Sequence, residues 1–317
     1  MTGRNAELDT FLQVLQKRFA EAAGCAPKAL RALLADADVR DLARETAEFD
    51  DAGEWLISTV RMTARHSPSA AFTLAVRFAA QRCLALSGPD TEDVTSGVVH
   101  PTAASPWTAT VPTLLDARAV LLLDRSTGEA ALADWDSLLV EDTEGTRRSG
   151  LREAGLRTVT SVEGRQPLDA AAAARAMREW DLFTAAAALG LAEQALATAE
   201  TYAGERRQFG TPIGTFAGLR ALLAEMRLRV STVGGLLAGA TAGDTDTAEA
   251  LAVAGRVAVD VCLDAIQVHG GYGYIDEYPL AGLLRDALSI RARGGGRRAL
   301  LAQVANRQLG VAGDGVR

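Results

Sequence analysis

The half of the chain that follows Pro167 constrains the fold most, because its apolar residues recur at helical spacing to the end and no strand-like run interrupts them. Asp169 is placed to cap an Ala-rich segment that runs through Trp180 and Leu189 to about Tyr202. Further helices are predicted over about 214–237, 247–268 and 280–291, with a final one over 297–309. Helices of this length bury their apolar stripes by packing antiparallel through short connections. Residues 167–317 are therefore expected to form a C-terminal helical domain built as a four-helix bundle.

The first 86 residues read as a second helical unit. Asp9 or Thr10 is expected to cap a helix with Phe11, Val14, Leu15 and Phe19 on one face, and similar patterns continue over 29–34, 55–64 and 70–84. At Ser87 the character changes. Gly88, Pro89 and Asp90 break the helix, and short apolar runs follow at 95–99, 109–114 and 119–123. Asp124 to Gly128 reads as a hairpin turn and 155–161 as another strand, so 87–166 is predicted to be a small β domain. The fold class is mainly α with a small central β domain.

Composition narrows the function. With 48% hydrophobic and 23% charged residues and a net charge of -7, the chain has no basic run interleaved with aromatics, which speaks against nucleic acid as a partner. Cys25, Cys83 and Cys262 are odd in number and far apart, which fits a reducing cytoplasm. The polar start (Thr2, Gly3, Arg4, Asn5) and the lack of any uninterrupted run of roughly 18 apolar residues predict neither secretion nor membrane insertion. His66, His100 and His269 have no second ligand at helical spacing, so no metal site is expected. No GxGxxG follows a strand, which removes support for a nicotinamide dinucleotide fold.

Two clusters can carry chemistry. Tyr202 to Ile213 (YAGERRQFGTPI) sets Arg206, Gln208 and Phe209 beside the helix-breaking Gly210 and Pro212. A guanidinium, an amide and a ring within four residues suit a phosphate-bearing aromatic ligand, although a solvated corner at a helix end has the same composition. Gln267 to Pro279 (QVHGGYGYIDEYP) places Gly270 and Gly271 after a long helix, where exposed amides can cradle a pyrophosphate or simply end the helix.

In this order and about sixty residues apart, with Arg285-Asp286-Ala287 following, these segments closely resemble the acyl-CoA dehydrogenase family. The resemblance implies a helical domain, a reduced β domain and a helical bundle, with FAD as cofactor. It further implies that Arg206, Gln208 and Phe209 meet the adenosine-diphosphate part of a flavin bound mainly by a neighbouring subunit. Gln267, Gly270 and Gly271 are implied as contacts to the same pyrophosphate, while Glu277, Arg285 and Asp286 hold the bundle together.

The chain also departs from that family. Its members remove an α proton with a carboxylate that sits shortly after the RDA helix, and the matching position here is Gly294, which cannot accept a proton. Some members place the base on an earlier helix; Trp180 stands at that position, flanked by Glu179 and Asp181 as candidate replacements, and Asp276 is a weaker candidate. The β region is short, with Thr102 and Trp107 left to approach the isoalloxazine.

The expected function is that of a subunit for α,β-desaturation of an acyl thioester, carried by coenzyme A or by a protein. It is read as the base-lacking half of a heterotetramer with a second acyl-CoA dehydrogenase-like chain, acting on a fatty-acid or sterol side chain and passing electrons to an electron-transferring flavoprotein. The alternatives are a complete homo-oligomeric flavoenzyme that uses Glu179 or Asp181, and a flavin-free structural partner.

Overall fold

A computed structural model of the chain describes residues 2–22, 27–36, 39–85, 93–100, 106–141, 149–275 and 277–310. The N-terminal helices are α1 (Thr2–Glu21), α2 (Pro27–Asp36), α3 (Leu42–Glu45), α4 (Ala52–His66) and α5 (Pro68–Ala85). The strands that follow are β1 (Val94–Val98), β2 (Thr108–Val111), β3 (Ala119–Leu123), β4 (Ala130–Asp134), β5 (Leu138–Glu141), β6 (Arg157–Ser161) and β7 (Gln166–Pro167). Then come α6 (Ala170–Glu205), the small hairpin β8 (Arg207–Gln208) and β9 (Thr211–Pro212), α7 (Ala217–Ala242), α8 (Thr247–His269), α9 (Leu280–Ala292) and α10 (Gly296–Leu309).

The predicted helices stand where the apolar periodicity put them, with ends displaced by a few residues. At α1 the expectation fails in detail. The helix begins at Thr2, so Asp9 and Thr10 lie inside it; the Thr10 hydroxyl donates to the Ala6 carbonyl one turn back, and Val14 is exposed while Leu8, Leu15 and Phe19 form the buried face. Asp169 does cap α6, accepting the Ala172 N–H at 2.8 Å.

Helix α6 organises the molecule. Every residue from Trp180 to Ala192 is buried, and apart from Asp181 and Thr184 the stretch carries no polar side chain, so other elements surround it on all sides. By length and composition it can cross a membrane, yet 78% of its most apolar 18-residue window is buried inside the protein. On one side α4 crosses it at Gly190, where an added Cβ would lie 2.0 Å from the Arg61 carbonyl oxygen, so only glycine admits that approach. On the opposite flanks α7, α8 and α9 complete the bundle, and α10 packs on α8 and α9. One hydrophobic core runs from Leu15 in α1 through Phe72 in α5 and Phe183 in α6 to Leu300 in α10.

Among the described residues the β region holds two small sheets. One has the order β1-β3-β4-β7, with β1 parallel to β3, and the other has the order β2-β6-β5, all antiparallel. Val120 and Leu122 of β3 meet Ala109, Val111 and Val159 of the second sheet in a separate small core. Strands β4, β5 and β7 carry no strand signal strong enough to be expected from sequence, and β2 ends at Val111 rather than Leu114. The region docks on the bundle where the Leu151 N–H donates to the Asp286 carboxylate at 2.6 Å. There Gly150 passes so close to α9 that an added Cβ would lie 2.1 Å from the Arg285 carbonyl oxygen.

Candidate functional site

The C-terminal ends of α6 and α8 lie side by side and present the two motif segments together. Helix α6 stops at Arg206, whose N–H donates to the Tyr202 carbonyl at 2.8 Å, and Pro212 ends the short β9 strand after the turn. Between β8 and β9 the chain turns through Phe209 (φ +50°) and Gly210 (φ +82°). The left-handed backbone at Phe209 is unusual for an aromatic residue, and its ring is 93% exposed, with the Phe216 ring centred 6.3 Å away. Arg206, Gln208 and Gln267 are exposed as well.

Helix α8 ends at His269, and Gly270 follows with φ +60° and ψ −136°, a conformation that a side chain would strain. A Cβ at Gly270 or Gly271 would meet no other atom, so both residues offer bare backbone to solvent, open to close approach by a ligand. The Arg206 guanidinium lies over the Tyr272 ring at 5.5 Å, which ties the first segment to the second. An exposed guanidinium, two amide side chains, an exposed ring and an accessible glycine backbone can hold a phosphate-linked aromatic group.

Beyond the other end of α9, in its connection to α10, Gly294, Gly295 and Gly296 all have positive φ. A Cβ at Gly294 would lie 2.8 and 3.2 Å from two atoms of the Trp180 ring and 3.4 Å from the Arg125 guanidinium. Trp180, 1% exposed, thus occupies the space into which any side chain at 294 would point.

Arg125 closes the same region from the β3–β4 turn, which Asp124 holds by accepting from the Ser126 N–H and hydroxyl. Its guanidinium donates to the Gly294 carbonyl at 2.8 Å, to the Gln303 side chain at 2.5 Å and, bidentately, to Asp181. Asp181 is fully buried; burial pushes its pKa up, and the Arg125 charge and hydrogen bonds oppose that rise. Glu179 pairs with Arg82 at 3.1 Å. Arg125 was visible in the sequence only as part of a turn, since nothing in a local pattern shows that a hairpin residue reaches a helix 56 positions away.

Trp107 lines an open cleft of about 470 Å³ with Glu129, Gly164, Arg165 and Pro167, its ring under the Arg165 guanidinium at 5.1 Å. Thr102 and Asp276 lie outside the described residues. Asp286 accepts from Leu151 and so ties the β region to α9 rather than joining two helices of the bundle, and Glu277 is exposed. Among the described residues no group of three or more His, Cys, Asp or Glu side chains is placed to hold a metal ion.

Residues 171–309 match the family described as "Acyl-CoA dehydrogenase, C-terminal domain". A 115-residue stretch is 36% identical to the 3-sulfinopropanoyl-CoA desulfinase of Paraburkholderia xenovorans, covering 34% of this chain and 30% of that protein. Over 94 residues it is 42% identical to the short-chain-specific acyl-CoA dehydrogenase of Megasphaera elsdenii, covering 27% of this chain and 24% of that protein. The chain thus matches less than a third of the length of these curated relatives. In fold, the Tcur3481-Tcur3483 steroid ACAD superposes with a TM-score of 0.79 at 22% identity, over 98% of this chain and 99% of that one. Residues 171–309 thus match the C-terminal domain of acyl-CoA dehydrogenases, and the chain as a whole shares the fold of that steroid ACAD.

Proposed function

We propose that this chain is the base-lacking half of a flavin-dependent acyl-thioester dehydrogenase, completing a flavin site whose remainder is held by a second, base-bearing chain of the same family. The observation that carries the reading is the pairing of opposites within one bundle. The nucleotide-facing end, with Arg206, Phe209 and the Gly270 turn, is exposed and ligand-ready. The position of the base is a glycine whose side-chain space Trp180 fills.

FAD fits the residues present. Arg206 is positioned to fork onto phosphate oxygens, Phe209 to pack against the adenosine, Gln208 and Gln267 to hydrogen-bond, and the Gly270 and Gly271 backbone to meet the pyrophosphate. Held by these residues, FAD would supply the acceptor for the hydride that leaves the thioester's β carbon as the α proton goes to a base. This chain's own residues bind and orient the nucleotide; among the described residues, the carboxylate that Arg125 ties to the Gly294 turn, Asp181, is already paired. Asp181 is sealed behind Arg125 and Glu179 is engaged by Arg82, so a complete enzyme using either as base has no support in this geometry.

The substrate proposed is an acyl thioester bearing a fatty-acid or sterol side chain, borne by coenzyme A or a carrier protein, with an electron-transferring flavoprotein as acceptor, in the cytoplasm. The steroid enzyme that shares the fold supports the bulky end of that range. The test is to purify the chain alone and after co-expression with base-bearing acyl-CoA dehydrogenase-like chains from the same genome, and to compare flavin absorbance and native mass. FAD held by the chain alone sinks the reading; FAD gained only with the partner sustains it.

A further inference from the structure

The end of α8 carries a residue whose role the motif does not explain. His269 is 3% exposed, and its ring stacks face to face on Tyr202 of α6 with centroids 4.1 Å apart and planes 21° apart. Its Nδ1 lies 2.8 Å from the Ala265 carbonyl oxygen, which can only accept, so Nδ1 carries the proton and the ring's rotation is fixed. Nε2 is buried without a partner, consistent with a neutral imidazole whose pKa burial lowers.

Around this ring the contacts close a circuit. Tyr278 sets its edge against His269 at 5.1 Å and against Tyr202 at 5.8 Å. Tyr272 meets Tyr278 at 6.3 Å, and its face receives the Arg206 guanidinium at 5.5 Å. Arg206 returns to Tyr202 through its own N–H. His269 joins this circuit to Gly270, the next residue, so the same ring that locks the α6 end also sets where the glycine turn begins.

We infer that His269 is a positioning residue for the nucleotide part of the flavin, holding Arg206 and the Gly270 backbone in one fixed relation across two helix ends. The inference rests on the reading that these two segments hold FAD. It predicts that the stack matters more than the imidazole's chemistry. A ring of similar shape preserves the relation; an aliphatic side chain of similar volume does not.

The experiment uses the complex of this chain with the base-bearing partner proposed above, stripped of flavin and titrated with FAD by absorbance, together with an unfolding midpoint for each variant. His269→Leu is expected to weaken FAD binding about tenfold, the combined weight of one aromatic pair and one hydrogen bond, with the complex still folded. His269→Phe, which keeps the stack, is expected to recover affinity to within about threefold of the original, the weight of the one neutral hydrogen bond still missing. Should His269→Leu fail to fold, Tyr202→Leu removes the other half of the stack and is read in the same way. Unchanged affinity in folded His269→Leu overturns the inference, as does a His269→Phe complex no better than His269→Leu. If the unmutated complex takes up no FAD, the functional reading itself has failed, and that control separates the two failures.

Discussion

Gly294 and Trp180 should be energetically coupled, and the size of the coupling follows from their contact. Gly294→Ala imposes two costs. A Cβ at φ +68° adds about 1–2 kcal/mol for a left-handed residue, and a methyl driven to 2.8 Å from a buried ring adds about 1–3 kcal/mol of overpacking. In a Trp180→Leu background the ring atoms are gone, and only the backbone cost remains. The two substitutions should therefore fall short of additivity by about 1–3 kcal/mol, well beyond the ~0.5 kcal/mol scatter of independent sites. Trp180→Leu alone should be destabilising, by somewhat less than the ~3–5 kcal/mol typical of Trp→Ala. Urea unfolding of the four proteins, followed by far-ultraviolet circular dichroism, measures the cycle. Additive costs would mean that Trp180 does not fill the space beside position 294, and the account of the missing base would lose its structural footing.

Other parts of the account can be checked separately. Arg125→Met should cost about 3–5 kcal/mol by leaving the Asp181 charge buried and unpaired, and Arg125→Met with Asp181→Leu should recover much of it in the same unfolding assay. Asp286 has its pKa pushed up to about 6 from 3.8, chiefly by burial, so the folded state holds the proton more tightly and stability falls as pH rises through that window. At about 1.4 kcal/mol per pH unit, the cost above pH 6 approaches 3 kcal/mol. Asp286→Asn, which still accepts from Leu151, should raise stability at pH 7.5 and flatten its change between pH 4 and 6; a loss of stability there contradicts the assignment. Phe209→Ala should leave the unfolding free energy within about 0.5 kcal/mol, since the ring is exposed, while weakening FAD retention by the complex.

The helices were legible because their pattern is local. A period of 3.6 residues and a capping Asp169 are properties of neighbouring positions, and α4 to α10 follow them to within a few residues. The β region was legible only in part. Ala119–Leu123 is a continuous apolar run, but Leu138–Glu141 is an edge strand with three exposed residues, and Gln166–Pro167 owes its strand geometry to pairing with β4. Misplacing the start of α1 has a comparable cause: Asp9 and Thr10 are good caps, but the turn before them is helical as well.

At the candidate site the same division holds. Arg206, Phe209 and Gly270 stood out because residue types crowded into short motifs. The relations that give them meaning did not, because Arg206 over Tyr272 and His269 against Tyr202 join segments more than sixty residues apart. Gly294 stood out only against the resemblance, as a glycine where a carboxylate was expected. Only the fold shows that Trp180 and the Arg125–Asp181 pair occupy that place.

The most direct test of the central claim is the flavin content of this chain purified alone and purified after co-expression with a base-bearing acyl-CoA dehydrogenase-like chain from the same genome, read by visible absorbance with native mass on the same samples. The account predicts colourless protein alone and a yellow complex containing both chains. Yellow protein composed of this chain only would contradict it.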